Sequence, residues 1–172
     1  MVVKLNLASG TDIKDPPWVN LDIVAKWPSA RRGADIIWDA RKDRIPFDDE
    51  SVDEVYAGYL FLHIPRIHHH PVRDEVYRVL KKDGVLVVGE VDMEKVMERW
   101  LRDPWSGQLN DLIWGEQGQF HGQGFTEYDT HVQGFTEGTL RSFLKAGKFR
   151  LVDRISIHHP DVWYELTLRC EK

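Results

Sequence analysis

The sequence predicts an α/β protein built on one open, mostly parallel sheet flanked by helices, and three observations predict it. Seven short apolar or alternating runs follow one another, with a helical pattern between the fourth and fifth. A turn of small residues, Ala8-Ser9-Gly10, ends the first run. The second run closes on a carboxylate, Asp22. Ligands of parallel α/β proteins lie outside the carboxyl ends of the strands. A small-residue turn there lets a ligand approach the backbone, and an acid one strand over can accept hydrogen bonds from both hydroxyls of a ribose.

The first five runs are residues 2–7, 19–23, 34–38, 52–59 and 85–91. In the helical pattern over 72–80, Val72, Val76, Val79 and Leu80 share one face, and Lys81-Lys82-Asp83-Gly84 supplies cations and a glycine stop. Strand, helix and strand in that order call for parallel neighbours joined by crossovers. Eight residues separate Gly10 from Val19, and they include Pro16-Pro17, which cannot sit in a helix interior. The first crossover is therefore expected to be reduced to about one helical turn, or else these two strands are not adjacent.

After the fifth strand, Val96, Met97, Trp100 and Leu101 form the apolar stripe of a helix over 93–101. A Gly- and Gln-rich stretch follows over 105–135, with Trp114, Phe120, Phe125 and Tyr128. A segment of this length is expected to be a lid or a substrate-binding insertion, or else a contact between two copies of the chain. Gln-Gly-Phe-Thr-Glu occurs in it twice, too short a unit for a repeat architecture. Thr136 opens a last helix as N-cap, Leu140, Phe143 and Leu144 face inward, and Gly147 closes it. Two final strands, 149–157 and 162–169, form an antiparallel pair at one sheet edge, with the last strand antiparallel.

Composition narrows the partners. The chain has 172 residues, enough for one domain with a substantial core. With 42% apolar and 30% charged residues it reads as an ordinary globular protein. A net charge of −5 argues against a surface built to neutralise nucleic-acid phosphates. The single cysteine, Cys170, rules out an internal disulfide and is consistent with a reducing compartment. No apolar run approaches the length of a membrane helix and no signal-type segment opens the chain, so the cytoplasm is the expected location. His68-His69-His70 and His158-His159 are consecutive and have no ligand-spaced acids or cysteines, so no metal is expected.

Five segments then occur in order over about 4–92. They are Leu5-Asn6-Leu7-Ala8-Ser9-Gly10, Trp18-Val19-Asn20-Leu21-Asp22, and Asp39-Ala40-Arg41 with the following Ile45-Pro46-Phe47-Asp48-Asp49-Glu50-Ser51-Val52-Asp53. Tyr59-Leu60-Phe61-Leu62-His63-Ile64 and Val76-Tyr77-Arg78-Val79-Leu80-Lys81-Lys82-Asp83-Gly84 complete the set. Together they resemble the class I S-adenosylmethionine-dependent methyltransferases, in particular the compact subgroup whose first crossover is a loop.

The resemblance implies a Rossmann-like, open seven-stranded sheet, mostly parallel, with helices on both faces and an antiparallel last strand. It implies one domain over 1–172, S-adenosyl-L-methionine as cofactor, and in-line methyl transfer to a small-molecule or protein side-chain acceptor. Ala8, Ser9 and Gly10 would then meet the methionine part of the cofactor, Asp22 the ribose, and Asp39 and Ala40 the adenine, with Ile23 or Trp38 flanking the base. Tyr59 and His63, just past the fourth strand, would face the methyl group, His63 orienting or deprotonating the acceptor. Each has a plain alternative: an ordinary turn at 8–11, a cap or surface acid at Asp22, a carboxylate paired with Arg41 at Asp39, and a backbone-bonded histidine at His63. His121 and His131 become candidate bases only if their loop closes over the site.

Three departures stand out. Ala8 replaces the first glycine of the family's "G-x-G", Leu62 replaces the usual glutamate before His63, and Asp83 replaces the proline of "L-K-P-G-G". A catalytically silent binding protein of the same fold is one alternative, supported by Ala8 and Leu62. A nicotinamide-dependent oxidoreductase is another, but it calls for Gly-x-Gly-x-x-Gly and a full first helix, which the sequence lacks. Hydrolase, nucleoside-triphosphatase and zinc-protease motifs are absent too.

Overall fold

A computed structural model describes residues 2–27, 29–104, 107–115, 130–155 and 164–172. Seven strands form one sheet: β1 (Lys4–Leu7), β2 (Trp18–Asp22), β3 (Ile36–Ile37), β4 (Val52–Gly58), β5 (Leu80–Val91), β6 (Arg150–Ile155) and β7 (Glu165–Glu171). Their order is β3-β2-β1-β4-β5-β7-β6. The pairs up to β4–β5 are parallel, and β7 is antiparallel to both β5 and β6. The sheet therefore reverses direction on either side of β1, and its crevice opens at the carboxyl ends of β1, β2 and β4.

Alternation along the strands sets the core. Leu5, Leu7, Leu21, Val55, Ala57, Leu86, Val88, Leu166 and Leu168 point to one face and are buried there. Helix α1 (His69–Val79) covers that face with Val72, Val76 and Val79, and α4 (Glu137–Ala146) with Leu140 and Leu144. The two helices meet where the Arg73 guanidinium donates to the Phe143 carbonyl at 3.0 Å. Gly147 ends α4, but with φ −87 it is not there for a left-handed turn. A Cβ at Gly147 would lie 2.4 Å from the Arg73 side chain, so the glycine makes room for the helix contact. Thr136 caps α4 reciprocally with Thr139.

The first crossover carries no helix, as the prolines require. Its backbone is satisfied by two buried asparagines instead. Asn6 donates to the Asp12 carbonyl at 2.7 Å and to Asn20 Oδ1 at 2.9 Å. Asn20 exchanges hydrogen bonds with the backbone of Lys14 and is held by Asp35. Loops also make the connections from β2 to β3 and from β3 to β4. Helices α2 (Met93–Arg102) and α3 (Gly107–Trp114) gather beyond the carboxyl end of β5, where Val91, Val96, Leu109 and Leu112 pack on Leu62.

Two details differ from expectation. Helix α1 stops when Leu80 turns extended, so Gly84 does not stop it and β5 begins at Leu80. Asp83 has φ 63, a conformation closed to proline. With Glu75 as the first residue of the "E-x-x-R-V-L-K-P-G-G" pattern, Lys82 falls on the proline and Asp83 on the first glycine. The segment expected as a lid contains α3 and returns at 130–135. Trp105, Phe120, His121, Phe125, Tyr128 and the first Gln-Gly-Phe-Thr-Glu lie outside the described residues, as do His158 and His159.

Candidate functional site

A cavity of about 550 Å³ opens at the carboxyl ends of β1, β2 and β4, within the ~300–1,000 Å³ usual for small-ligand sites. Strand β1 leads into it through Ala8 at φ 50 and Gly10 at φ 51. Between them the Ser9 N–H is tied to the Leu21 carbonyl at 3.1 Å. The Ser9 hydroxyl, however, is buried and has no hydrogen-bond partner among the described residues. An orphaned hydroxyl on a cavity wall fits a polar ligand group that completes it.

Asp22 ends β2 and is only 4% exposed. Its Oδ2 accepts the Gly10 N–H at 2.7 Å; its Oδ1 accepts the Val24 N–H at 2.8 Å and the Trp27 indole N–H at 3.1 Å. The acid thus clamps the β1 turn to the loop after β2. A carboxylate has about four lone-pair sites, so one remains on Oδ2 for a ligand hydroxyl, and a second would have to be taken from Trp27.

The adenine-side candidates stand one loop further on. Asp39 holds the Arg41 guanidinium in a two-point bond at 2.9 and 3.0 Å and also accepts the Arg41 N–H. These bonds keep its carboxyl well below the usual range. The pairing with Arg41 anticipated as the plain alternative is present, and both side chains still line the cavity with Ile23 and Ala40. Trp38 is core, 3% exposed, with its indole on the Asp43 carbonyl.

The third wall follows β4. Tyr59 has φ 56, and burial raises its phenol, which stays protonated. A 3-10 turn, Phe61–His63, then presents His63 to the cavity. His63 Nδ1 donates to the Thr130 carbonyl at 3.3 Å. Burial, and then the neighbouring His131, lower its pKa to about 4, so the ring is neutral. His131 reaches the same cavity because its N–H bonds the Trp114 carbonyl while the Val132 N–H bonds the Leu62 carbonyl. Beneath the turn lies Glu90, fully buried, accepting the Phe61 N–H at 2.9 Å. Burial pushes its carboxyl up to about 8, so it sits there protonated at neutral pH.

The nine site residues singled out in the sequence, Ala8, Ser9, Gly10, Asp22, Ile23, Asp39, Ala40, Tyr59 and His63, all line this one cavity. Sequence reasoning missed Trp27, which no motif marks, and Glu90, which reads as an ordinary strand residue. It also missed Tyr56, whose place on the Asn6 and Gly58 side of the sheet was readable from alternation alone. Among the described residues, no three His, Cys, Asp or Glu side chains converge as they would around a metal ion.

Residues 21–88 match the family described as a methyltransferase domain. The fold is shared with an S-adenosylmethionine-dependent methyltransferase of Methanosarcina mazei at TM-score 0.65 and 17% identity, covering 98% of this chain and 91% of that one. The matched stretch and the shared fold support a class I S-adenosylmethionine-dependent methyltransferase family for this chain. The cofactor of these methyltransferases is S-adenosylmethionine, and the residues present fit it.

Two other methyltransferase structures share the architecture. One is the 1,6-didemethyltoxoflavin-N1-methyltransferase of Burkholderia thailandensis, with its toxoflavin precursor and S-adenosylhomocysteine bound. It has TM-score 0.59 and 14% identity, over 99% of this chain and 70% of that one. The other is a Haloferax volcanii complex between the Trm112 methyltransferase activator and a methyltransferase, at TM-score 0.64 and 17% identity, over 99% and 81%. None of the curated proteins compared matches the sequence. Among the described residues no helix is long and apolar enough to cross a membrane.

Proposed function

We propose that this protein is an active methyltransferase, taking the methyl group of S-adenosylmethionine to a small-molecule acceptor by in-line displacement. The observation that carries this reading is Asp22, buried at the end of β2 and bonded to the Gly10 N–H of the Ala8–Gly10 turn, on one cavity with the Ser9 hydroxyl, which has no partner among the described residues. In this reading Asp22 holds the ribose, Ala8, Ser9 and Gly10 border the methionine part with the Ser9 hydroxyl as its polar contact, and Ile23, Asp39 and Ala40 border the adenine. Bound there, S-adenosylmethionine supplies a methyl group already activated on a sulfonium.

The chain's own work is alignment and exclusion of water. Positioning alone accounts for effective molarities of ~10⁵ M or more when two groups are held in line. Tyr59 and His63 border the acceptor, and the described part of the 105–135 segment brings His131 in beside His63. In this reading residues 1–172 form a single methyltransferase-like domain. The acidic balance of the chain favours a small molecule or a protein side chain over nucleic acid. The lone cysteine, buried and thiol-protonated with its pKa pushed up to about 12, suits a cytoplasmic enzyme.

Calorimetry with S-adenosylmethionine, S-adenosylhomocysteine and NAD tests the reading. Binding of the two adenosyl sulfur compounds without NAD, followed by transfer of labelled methyl to an acceptor in an extract of small molecules, is the expected result. Affinity for NAD alone, or for none of the three, overturns it.

A further inference from the structure

Asp22 and Asp39 both border the cavity, and they differ in the acceptor capacity left to them. An ionised carboxylate accepts at about four lone-pair sites and donates nothing. Asp22 has three of these filled, by the Gly10 and Val24 N–H groups and the Trp27 indole. Asp39 has all four filled. Its Oδ1 accepts the Arg41 N–H at 3.0 Å and Arg41 Nε at 2.9 Å, and its Oδ2 accepts Arg41 Nη2 at 3.0 Å and the Lys42 ammonium at 3.1 Å. The Arg41 bonds hold the carboxyl well below the usual range, so it stays ionised. The backbone of Asp39 is committed as well. Its N–H donates to Asp43 Oδ2 at 2.9 Å, and its carbonyl accepts the Lys42 and Asp43 N–H groups at 3.0 and 2.8 Å. Asp39 is therefore the hub of a closed turn over 39–43.

We propose that this cavity holds its cofactor without reading the amino group at purine C6, Asp39 serving instead as the internal partner of Arg41 and Lys42. The inference rests on the methyltransferase reading and deepens it by naming which part of the nucleoside is selected. The amino group of adenine is a donor, so at Asp39 it has to displace a donor already in place. Arg41 is the harder to displace, because its backbone and its guanidinium grip the same carboxylate at three points. Lys42 is the easier, since its side chain is 73% exposed and an exposed ion pair contributes little. That exchange puts a neutral donor where a charged one stood, and no bond is gained. Asp22 keeps one acceptor site, so selection of the nucleoside falls on the ribose. A purine bearing hydrogen at C6 keeps that ribose, and the cavity takes it as well as it takes adenine.

The test is calorimetry on the full chain with S-adenosylhomocysteine and with its 6-deamino analogue, in which purine replaces adenine and nothing else changes. The parent should bind the two with affinities within about threefold of each other, less than one hydrogen bond to a charged acceptor would give. Two variants then vacate sites on Asp39. In Arg41→Met the preference for S-adenosylhomocysteine should rise to about tenfold, the lower range for one such bond. In Lys42→Ala, a change at an exposed position that leaves the fold intact, it should rise in the same direction. Melting curves on the same samples confirm that each variant is folded at the assay temperature. A preference above threefold in the parent overturns the inference, and so does a preference that rises in neither variant. If the parent gives no heat with either compound, the methyltransferase reading itself is overturned, so the two failures are distinct.

Discussion

Replacing Asp22 tests both of its duties at once. Its three donors, the N–H groups of Gly10 and Val24 and the Trp27 indole, lie at 2.7, 2.8 and 3.1 Å. Hydrogen bonds to a charged partner contribute ~1.5–3 kcal/mol each, but in Asp22→Ala the stranded donors face a cavity that water can enter. A net destabilisation of about 2–4 kcal/mol follows, and at ~2–4 °C per kcal/mol for a chain of this length the melting temperature falls by about 4–16 °C. Asp22→Asn keeps an acceptor for Val24 and Trp27 but can turn an amide N–H toward the Gly10 N–H, so its loss is about half as large. Both variants should bind S-adenosylhomocysteine at least about tenfold more weakly at 15 °C, where each remains folded, because the ribose loses an ionised acceptor. Melting curves and calorimetry on the same samples separate the outcomes. If Asp22→Ala melts early but binds as well as the parent, the acid is a strut only and the ribose contact is refuted. If neither quantity moves, the hydrogen bonds at the β1 turn are misread.

Other substitutions probe the same cavity. Trp27→Phe keeps an aromatic wall but removes a donor from Asp22 Oδ1; it should lose about 1 kcal/mol of stability and bind S-adenosylhomocysteine more tightly, and calorimetry showing equal or weaker binding refutes the competition. Ala8→Gly relieves a left-handed alanine, worth ~1–2 kcal/mol, and offsets most of this by added chain entropy, so the melting temperature stays within a few degrees while cofactor affinity rises. Unchanged affinity would show that the Ala8 methyl faces the core instead. Glu90 titrates near 8 when folded against about 4.5 unfolded, so the native state binds the extra proton in between and wild-type stability falls as pH rises from about 4.5 to 8. Glu90→Gln removes that dependence; its advantage in melting temperature should grow from pH 5 to pH 8, and a constant difference would mean the carboxyl is not held neutral.

Periodicity was enough to read the strands, because a one-residue slip would have moved Leu5, Leu7, Val55 and Ala57 off the buried face. The proline pair announced the missing first helix. What it did not announce was the replacement, a lattice of Asn6, Asn20 and Asp35, since asparagines become structural only once β1 and β2 set them side by side. The motif residues of the cofactor side were legible because they end consecutive strands of one sheet. His131 was not, since its place depends on backbone bonds to Leu62 and Trp114 that no local pattern encodes. Glu90 was hidden for a different reason: its burial comes from the 3-10 turn folding over the end of β5.

The same loop that replaces the first helix also bears on which nucleotide the cavity can hold. A dinucleotide places its pyrophosphate on the N-terminus of the helix after β1, where unpaired N–H groups and the helix dipole stabilise negative charge. Here there is no such helix, and the turn N–H of Gly10 is already given to a carboxylate. Charge on the walls points the same way. Asp12, Asp22 and Asp39 line the cavity against Arg41, whose guanidinium is held by Asp39. With His63 neutral, such walls attract a cation and repel a diphosphate. S-adenosylmethionine carries a sulfonium and no phosphate, so shortening the crossover and lining the crevice with acids act together to select it over NAD.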